Sequence, residues 1–258
     1  MVNPRQTVIE SWARRFDVSP EYLTRPGTHP FFKSADWVKP NRILVYRIHG
    51  EDPANDAVIV LIPETLTDSL TPHLGALDSA SPSDSAAVIE AFGAAQSLRP
   101  LWRDHCFYAL ETEDVPSSKL VTLPTPGGFT TRPMKRENAT DREAMTGLNE
   151  ALSADERNEG AVSIEDPLCT GLWDGESLVA AASVLLDDDS PIADVGVIVH
   201  PAYRGRSLGK LVVSAVCAQG MPDRVLQYCA GSTNLGSLGI ARGLGFSLLL
   251  TEEGIEIG

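Results

Sequence analysis

Basic residues and glycines are concentrated in a short segment that follows a run of aliphatic residues. The segment reads Arg204-Gly205-Arg206-Ser207-Leu208-Gly209-Lys210, and it comes after Val197-Ile198-Val199-His200-Pro201. The aliphatic run predicts a strand that ends at the proline, and the residues from Leu208 onward predict a helix. Backbone N–H groups at the start of such a helix converge on one point, where the helix dipole also favours negative charge. The pattern therefore predicts a site for a diphosphate.

Two better-known phosphate loops do not fit this segment. Gly205-x-x-x-Gly209-Lys210 is one residue shorter than a Walker A loop, and Leu211 stands where that loop has the Ser or Thr that holds magnesium. The segment is not a GxGxxG dinucleotide fingerprint either. We assign no metal site to the sequence.

A second block of residues lies downstream and completes a recognisable pair of motifs. It runs from Asn234 through Ser237 and Ala241 to Gly245-Phe246. Together with Arg204-x-x-Ser207-x-Gly209, it resembles the GNAT acyltransferase superfamily, in which Arg/Gln-x-x-Gly-x-Gly/Ala follows a strand and an Asn-x-x-Ser/Ala block ends in Leu-Gly-Phe. The resemblance covers about half of the chain, and it implies a GNAT fold there.

The resemblance also implies that acetyl-CoA is the co-substrate. The pantetheine amides would pair with the edge of the strand Val197 to Val199, where it separates from the next strand, and the thioester would lie near the N–H of Val199. The amine would attack the thioester directly, so that orientation supplies most of the catalysis, roughly 7–11 kcal/mol in well-aligned systems. The residues expected to bind acetyl-CoA are Val197, Ile198, Val199, Arg204, Gly205, Arg206, Ser207, Leu208, Gly209, Lys210, Asn234 and Ser237.

Two positions depart from the family pattern, and both bear on catalysis. Ser207 replaces the first glycine of the motif, and Ala241 stands where many members carry a Tyr that protonates the departing thiolate. Tyr228 is our candidate for that role; the alternatives are Ser237, bound water, slow transfer or lost catalysis. Asp194 is the candidate general base, acting through water, and the alternative is a solvated residue at a strand end.

The elements around these residues predict a mixed sheet with helices, an α/β or α+β fold. Aliphatic runs predict strands over residues 169–173, 178–186, 193–199 and 225–230, and Asp174-Gly175 predicts a hairpin between the first two. Thr140-x-x-Glu143 reads as a capping box at the start of a helix. Helices are also expected after Leu208 and from about Asn234.

A Pro/Gly cluster at residues 123–128 predicts a boundary, giving an N-terminal domain over 1–126 and the acetyltransferase domain over 127–258. In the first half we expect a helix over residues 8–16, an irregular stretch over 19–40, strands over 43–48, 57–62 and 105–110, and a helix capped by Ser83 or Asp84. The whole chain is similar to GNAT proteins that carry an extra, degenerate N-terminal half. That half is therefore expected to be a smaller GNAT-like or α/β domain.

The composition narrows the possible partners. Among 258 residues, 35 acids stand against 21 bases, a net charge of −14, which disfavours nucleic acid and anionic membranes. Only five of the bases are Lys, and this acidic, lysine-poor surface suggests a protein suited to high salt. Four well-separated cysteines without a CxxC motif predict reduced thiols and a cytoplasmic location.

The sequence thus favours an N-acetyltransferase that acts on a primary amine of a small molecule or a protein, as a monomer or a homodimer. Ala241 keeps a second reading open, a non-catalytic acyl-CoA-binding sensor or regulatory module. A third reading is a structural dimerisation protein whose basic turn binds nothing. The acceptor itself is not predicted, because fold-level analogy cannot name a substrate.

Overall fold

A computed structural model describes residues 3–34, 38–77, 83–110, 120–186, 189–221 and 223–258. Within them lie seven α-helices: α1 (Pro4–Phe16), α2 (Thr67–Leu70), α3 (Ser85–Phe92), α4 (Ala139–Glu150), α5 (Ala154–Gly160), α6 (Leu208–Cys217) and α7 (Leu235–Leu244). The strands in the same part of the chain are β1 (Gly27–Lys33), β2 (Arg42–Ile48), β3 (Ala57–Pro63), β4 (Leu98–Tyr108), β5 (Phe129–Pro133), β6 (Leu168–Asp174), β7 (Ser177–Leu186), β8 (Ile192–Val199), β9 (Val225–Gly231) and β10 (Ser247–Ile257). The result is the mixed α/β fold that the sequence predicts. No helix in the described ranges is long and apolar enough to cross a lipid bilayer.

The chain divides into two compact units. The first comprises Ile9–Cys106, Gly231–Thr233 and Leu248–Gly258, and the second comprises Met1–Val8, Phe107–Ala230 and Asn234–Ser247. The boundary predicted after residue 126 does not coincide with this division. The difference arises because β10, at the end of the chain, pairs along its length with β2 of the first unit.

The strand order in the first unit is β1-β3-β2-β10-β4. β2 and β3 form the expected antiparallel hairpin, and Ile43, Val45, Val58 and Val60 are fully buried between the sheet and α3. The side chain of Asp84 accepts a hydrogen bond from the N–H of Ala87 and so caps α3, one of the two residues predicted for that role.

The stretch over residues 19–40 is not irregular throughout, as the sequence suggested, because it contains β1. This strand pairs in parallel with β3 from Gly27↔Ala57 to Lys33↔Pro63. Gly27 and Pro30 are poor strand formers. The pairing depends on β3, a partner distant in sequence, so local signals do not reveal it.

The strand order in the second unit is β9-β8-β7-β6-β5. β5 to β8 are antiparallel neighbours, whereas β8 and β9 are parallel. The predicted hairpin at Asp174-Gly175 joins β6 to β7, with Gly175 at a φ of 60°. The helix α6 buries Leu211, Val212 and Val216, as its periodicity predicts. The sheet and its helices are thus arranged largely as the sequence indicates.

The capping box predicted at Thr140 is not formed at α4, but one is present at α5. The helix α4 is capped by Asn138, whose side chain accepts from the N–H of Thr140, and not by Thr140 itself. A complete capping box is present at the next helix, α5, where Ser153 and Glu156 bond reciprocally. Met145 and Leu148 of α4 are buried in a cluster with Ala181 and Ile198 of the sheet. This packing fixes α4 against the strands.

The cysteines do not all conform to the sequence expectation. Cys106 and Cys229 are disulfide-bonded, so the prediction of four reduced thiols is wrong for these two. Cys169 and Cys217 are free and buried, and burial raises the pKa of each thiol to about 12. Both free cysteines are therefore neutral thiols at physiological pH.

Candidate functional site

The two parallel strands β8 and β9 separate part of the way along their length. Their pairing runs through Ile192↔Val225 and Ala193↔Leu226 to Asp194↔Gln227, and no paired position follows in the described chain. The remaining residues of β8, from Val195 to Val199, line a cavity of about 690 Å³. Ligand pockets commonly have volumes of roughly 300–1,000 Å³. The strand separation predicted from the sequence is therefore present, and it opens into a cavity large enough for a ligand.

The free edge of β8 presents backbone hydrogen-bonding groups to this cavity. The N–H of His200 donates to the carbonyl of Val179 at 2.9 Å, and Val199 pairs with Ala180 across β7 and β8. In an antiparallel ladder, this bond makes Val199 and Ala180 a pair that shares no hydrogen bond of its own. The N–H and C=O of Val199 therefore point away from β7, toward the cavity, as do those of Val197 two residues earlier. A chain of amides could pair with this edge as an added strand does.

The turn between β8 and α6 requires unusual backbone conformations. Gly205 has a φ of 74°, and Ser207 lies in the left-handed region with φ 59° and ψ 16°. Glycine adopts such angles freely, whereas a residue with a Cβ pays about 1–2 kcal/mol. Ser207 thus occupies a glycine-like conformation at the position where the family motif has glycine.

The first turn of α6 lines the same cavity, and its leading N–H groups have no hydrogen-bond partner among the described residues. The side chain of Ser207 caps none of them, and the N–H of Leu211 is the first that bonds back, to the carbonyl of Ser207 at 3.2 Å. The backbone N–H groups of Leu208, Gly209 and Lys210 belong to this open first turn. All three residues line the cavity. This arrangement is one that favours an anion, and the anion site at these residues stays a prediction.

Gly209 is required for close packing at this point. A Cβ on Gly209 would lie 3.0 Å from a methyl group of Ile240 and 3.2 Å from one of Val199. The absence of a side chain lets α6 approach β8 and α7 together. The third position of the predicted motif therefore has a structural reason to be glycine.

The three basic side chains of the turn have different surroundings. Arg204 lines the cavity, and its guanidinium donates to the carbonyl of Val199 at 3.2 Å and to Glu156 at 2.6 Å. Arg206 is not a cavity residue, and its guanidinium lies 5.3 Å from the ring centroids of both Phe129 and Tyr203. Of these three basic side chains, Arg204 is the one that both lines the cavity and forms an ion pair with a carboxylate within the described part of the chain.

Lys210 also lines the cavity, but its side chain extends along α7. A Cβ built on Gly243 would lie 2.8 Å from Cε of Lys210. The ammonium group is therefore close to the C-terminal turn of α7, where the helix dipole favours a cation.

The second sequence block supplies a wall of the same cavity. Asn234 caps α7, its side chain accepting from the N–H of Ser237 at 3.1 Å, and both residues line the cavity. Tyr228 of β9 also lines it, and its hydroxyl lies 3.4 Å from that of Ser237. Burial raises the pKa of Tyr228 to about 12. The phenol is therefore neutral, and can act as a hydrogen-bond donor, throughout the physiological range.

Two further candidates lie apart from the cavity. Asp194 is exposed on β8, where the side-chain amide of Gln227 donates to it, and it is not a cavity residue. Ala241 is fully buried on α7, whereas Ser237 and Ile240 of that helix face the cavity. The structure thus brings Tyr228, and not Asp194, to the cavity.

Sequence reasoning did not assign Glu156 or Gly160 of α5 to the site. Glu156, Glu159 and Gly160 of α5 line the cavity across from the basic turn, and Leu152, which precedes this helix, lines it as well. Ser153-x-x-Glu156 is a capping-box sequence and could have located the start of α5. Nothing in the sequence indicates that this helix faces the turn around Arg204, because that contact joins segments 48 residues apart.

One family model matches most of the second unit. Residues 136–246 match the model of the Acetyltransferase (GNAT) family. The match includes β8, the basic turn, α6, β9 and α7, which together form the cavity. No curated protein matches the sequence.

Similar solved structures include three bacterial proteins. A putative GNAT-family acetyltransferase from Novosphingobium aromaticivorans is 19% identical over 62% of this chain and 68% of that chain, with a TM-score of 0.40. A GCN5-related N-acetyltransferase from Kribbella flavida is 17% identical over 69% and 65%, with a TM-score of 0.46. A GNAT-family acetyltransferase from Colwellia psychrerythraea is 19% identical over 66% and 62%, with a TM-score of 0.47. This chain therefore spans about two thirds of the length of each structure, and likeness at this level assigns no role to any residue.

In this site, two diverging strands and the N-terminus of a helix line the same cavity. With the family match, residues 136–246 are a GNAT acetyltransferase domain. The resemblance drawn from the two sequence motifs is thereby confirmed for this part of the chain.

Proposed function

We propose that the protein is an N-acetyltransferase that transfers an acetyl group from acetyl-CoA directly to a primary amine. The observation that carries the proposal is the free edge of β8, which faces the same cavity as the open first turn of α6. One feature suits the amides of pantetheine and the other suits a diphosphate. The family match at residues 136–246 supports acyl transfer in general, and the amine acceptor belongs to our proposal.

In this mechanism the protein mainly holds the two reactants together. The N–H groups of Leu208, Gly209 and Lys210 would bind the diphosphate, and Val197 and Val199 would pair with pantetheine. The neutral amine attacks the thioester carbonyl, whose developing negative charge would be stabilised by the N–H of Val199. The C–S bond then breaks, the nitrogen loses one proton, and the sulfur leaves as CoA thiolate that gains one.

Tyr228 would assist the departure of sulfur by donating a hydrogen bond. Its pKa of about 12 exceeds that of an ordinary thiol, about 8.5, so complete proton transfer from the phenol to the thiolate is uphill. The phenol therefore stabilises the thiolate, and the proton released by the amine finally neutralises it. Asp194 remains a predicted base, and its position outside the cavity would require a relay through water.

The main test measures the binding of CoA to an Arg204→Gln variant by titration calorimetry. Loss of a charged donor to the diphosphate should weaken CoA binding about 10- to 100-fold. Arg136→Gln is the matched control, because Arg136 is an exposed arginine paired with Glu137 outside the cavity, and its CoA affinity should be unchanged. Equal affinity of the Arg204 variant and the wild-type protein would reject this placement of the cofactor.

A non-catalytic acyl-CoA-binding module is the second candidate. Ala241, buried where a phenol is usual, is the observation that favours it. A CoA-release assay over an amine panel, run beside a thermal-shift scan with acetyl-CoA, separates the readings. An enzyme shows both turnover and a thermal shift, a sensor shows the shift alone, and a structural protein whose turn binds nothing shows neither.

A further inference from the structure

An ion pair connects the basic turn to the helix on the other side of the cavity. Nη1 of Arg204 lies 2.6 Å from Oε1 of Glu156, and both residues line the cavity. Nε of Arg204 donates in addition to the carbonyl of Val199 at 3.2 Å. The one arginine of the turn that lines the cavity is thus already bonded to the protein itself at two of its donor atoms.

Glu156 is held in place independently of Arg204. Its second oxygen, Oε2, accepts from the N–H of Ser153 at 2.8 Å, and its own N–H donates to the hydroxyl of Ser153 at 3.2 Å. These bonds to Ser153, together with Arg204, lower the pKa of Glu156 to about 2. The carboxylate is therefore charged at every physiological pH.

The helix that carries Glu156 is also fixed against the sheet. A Cβ on Gly160 would lie 2.9 Å from the carbonyl oxygen of Val197, and a Cβ on Gly196 would lie 2.5 Å from the carbonyl oxygens of both Gly160 and Ala161. The backbones of α5 and β8 are therefore in close contact, and α5 cannot follow Arg204 if that side chain turns. Separation of the ion pair requires only rotation of the Arg204 side chain.

We propose that Glu156 competes with the diphosphate of CoA for Arg204, so that cofactor binding breaks the ion pair and exposes the Glu156 carboxylate to the cavity. This inference rests on the proposed function, since it assumes that the diphosphate binds at the first turn of α6. Arg204 is the side chain over which the two anions compete, because Arg206 lies between two aromatic rings and Lys210 extends along α7. Glu156 thereby sets the affinity for CoA from the acceptor side of the cavity.

The test compares CoA affinities, by titration calorimetry, of the full-length wild-type protein and of Glu156→Gln. Glutamine is accepted at this position of a capping box, so α5 should remain intact, and circular dichroism checks this. Removal of the competing charge should tighten CoA binding about two- to fivefold, the range that an exposed ion pair supports. In an Arg204→Gln background, the same substitution should tighten CoA binding no more than removal of a distant carboxylate does, because no ion pair remains to be broken.

Glu159→Gln is the matched control. Glu159 lies on the same helix, lines the same cavity and carries the same charge, but no ion pair to it is found in the described part of the chain. Its replacement should tighten CoA binding less than that of Glu156, since it relieves only repulsion at a distance. An equal gain in both variants would mean that general charge, and not competition for Arg204, sets the affinity, and it would overturn the proposal.

The remaining outcomes separate this inference from the proposed function. Unchanged or weaker CoA binding by Glu156→Gln, with weaker binding by Arg204→Gln, would reject the competition and leave the cofactor site in place. Wild-type protein that does not bind CoA would reject the proposed function and this inference with it.

Discussion

Tyr228 presents a buried phenol to the cavity, and its hydroxyl is 3.4 Å from that of Ser237. The usual tyrosine position of the family is occupied by Ala241, on a face of α7 that does not line the cavity. The two positions lie on different elements, β9 and α7. If Tyr228 takes over the function, the phenol reaches the site from a strand and not from the helix.

Tyr228→Phe should lower kcat about 10- to 100-fold, because a hydrogen bond to a charged group contributes about 1.5–3 kcal/mol. The affinity for CoA should not change, because the phenol would act only on the departing sulfur. Since its pKa is about 12, the wild-type kcat should show no fall due to Tyr228 ionisation below about pH 11.

The measurement is a steady-state CoA-release assay over a pH series, with any amine of the panel that supports turnover. Tyr203→Phe is the control, because Tyr203 also lines the cavity but its hydroxyl bonds to Asp174. A normal kcat in the Tyr228 variant would remove this residue from the mechanism.

Ser207→Gly should stabilise the folded protein by about 1 kcal/mol. Ser207 has a φ of 59°, an angle that costs a residue with a Cβ about 1–2 kcal/mol but costs glycine little. Urea unfolding followed by circular dichroism gives the free energy of unfolding. Ala202→Gly is the control, because Ala202 lies in the preceding turn at a negative φ, and it should lower the free energy of unfolding by about 0.5–1 kcal/mol. If Ser207→Gly also lowered the free energy of unfolding, the backbone at Ser207 would not be strained.

At the scale of elements, the close contact between α5 and β8 is the feature that positions α5 at the cavity. Gly196→Ala should destabilise the fold by about 1–3 kcal/mol, since the new Cβ would meet two backbone oxygens that cannot move separately from their chain. Gly147→Ala is the counterpart on α4, where nothing lies within 4 Å of the added atom, and it should gain about 1 kcal/mol from helix propensity. Urea unfolding of both variants measures the difference. If the free energy of unfolding were the same for both variants, the backbones of α5 and β8 would tolerate a wider spacing than they have here.

The elements that the sequence predicts well are those specified by neighbouring residues. The turn at Arg204–Lys210 and the cap at Asn234 depend on backbone geometry within a few positions, and the structure places both at the cavity. β1 and the Arg204–Glu156 ion pair depend on partners 30 or more residues away. No local pattern encodes such partners, which is why the position of Glu156 beside Arg204 was not predicted. Cys229 is a similar case, because its disulfide follows no spacing motif.

For the whole molecule, the excess of 35 acids over 21 bases is the dominant electrostatic feature. Repulsion among these charges opposes the compact state, and salt weakens it because the screening length falls from about 10 Å at 0.1 M to about 3 Å at 1 M. The melting temperature should therefore stay constant or rise as KCl increases over that range. Circular dichroism melts measure it, with sucrose at matched osmolality as the control for solute exclusion. A fall in melting temperature at molar KCl would contradict the interpretation of the acidic surface as a high-salt adaptation.

The position of β10 has a consequence for the order of events during synthesis. β10 lies between β2 and β4 of the first unit, although the ribosome makes it after every other strand. N-terminal domains generally fold first as the chain emerges. Here the sheet of the first unit cannot close until residues 247–257 have been made, so its strands β2 and β4 must wait with exposed edges while β5 to β9 of the second unit are already synthesised. A chaperone that shields those edges on nascent chains would be expected to increase the yield of folded protein.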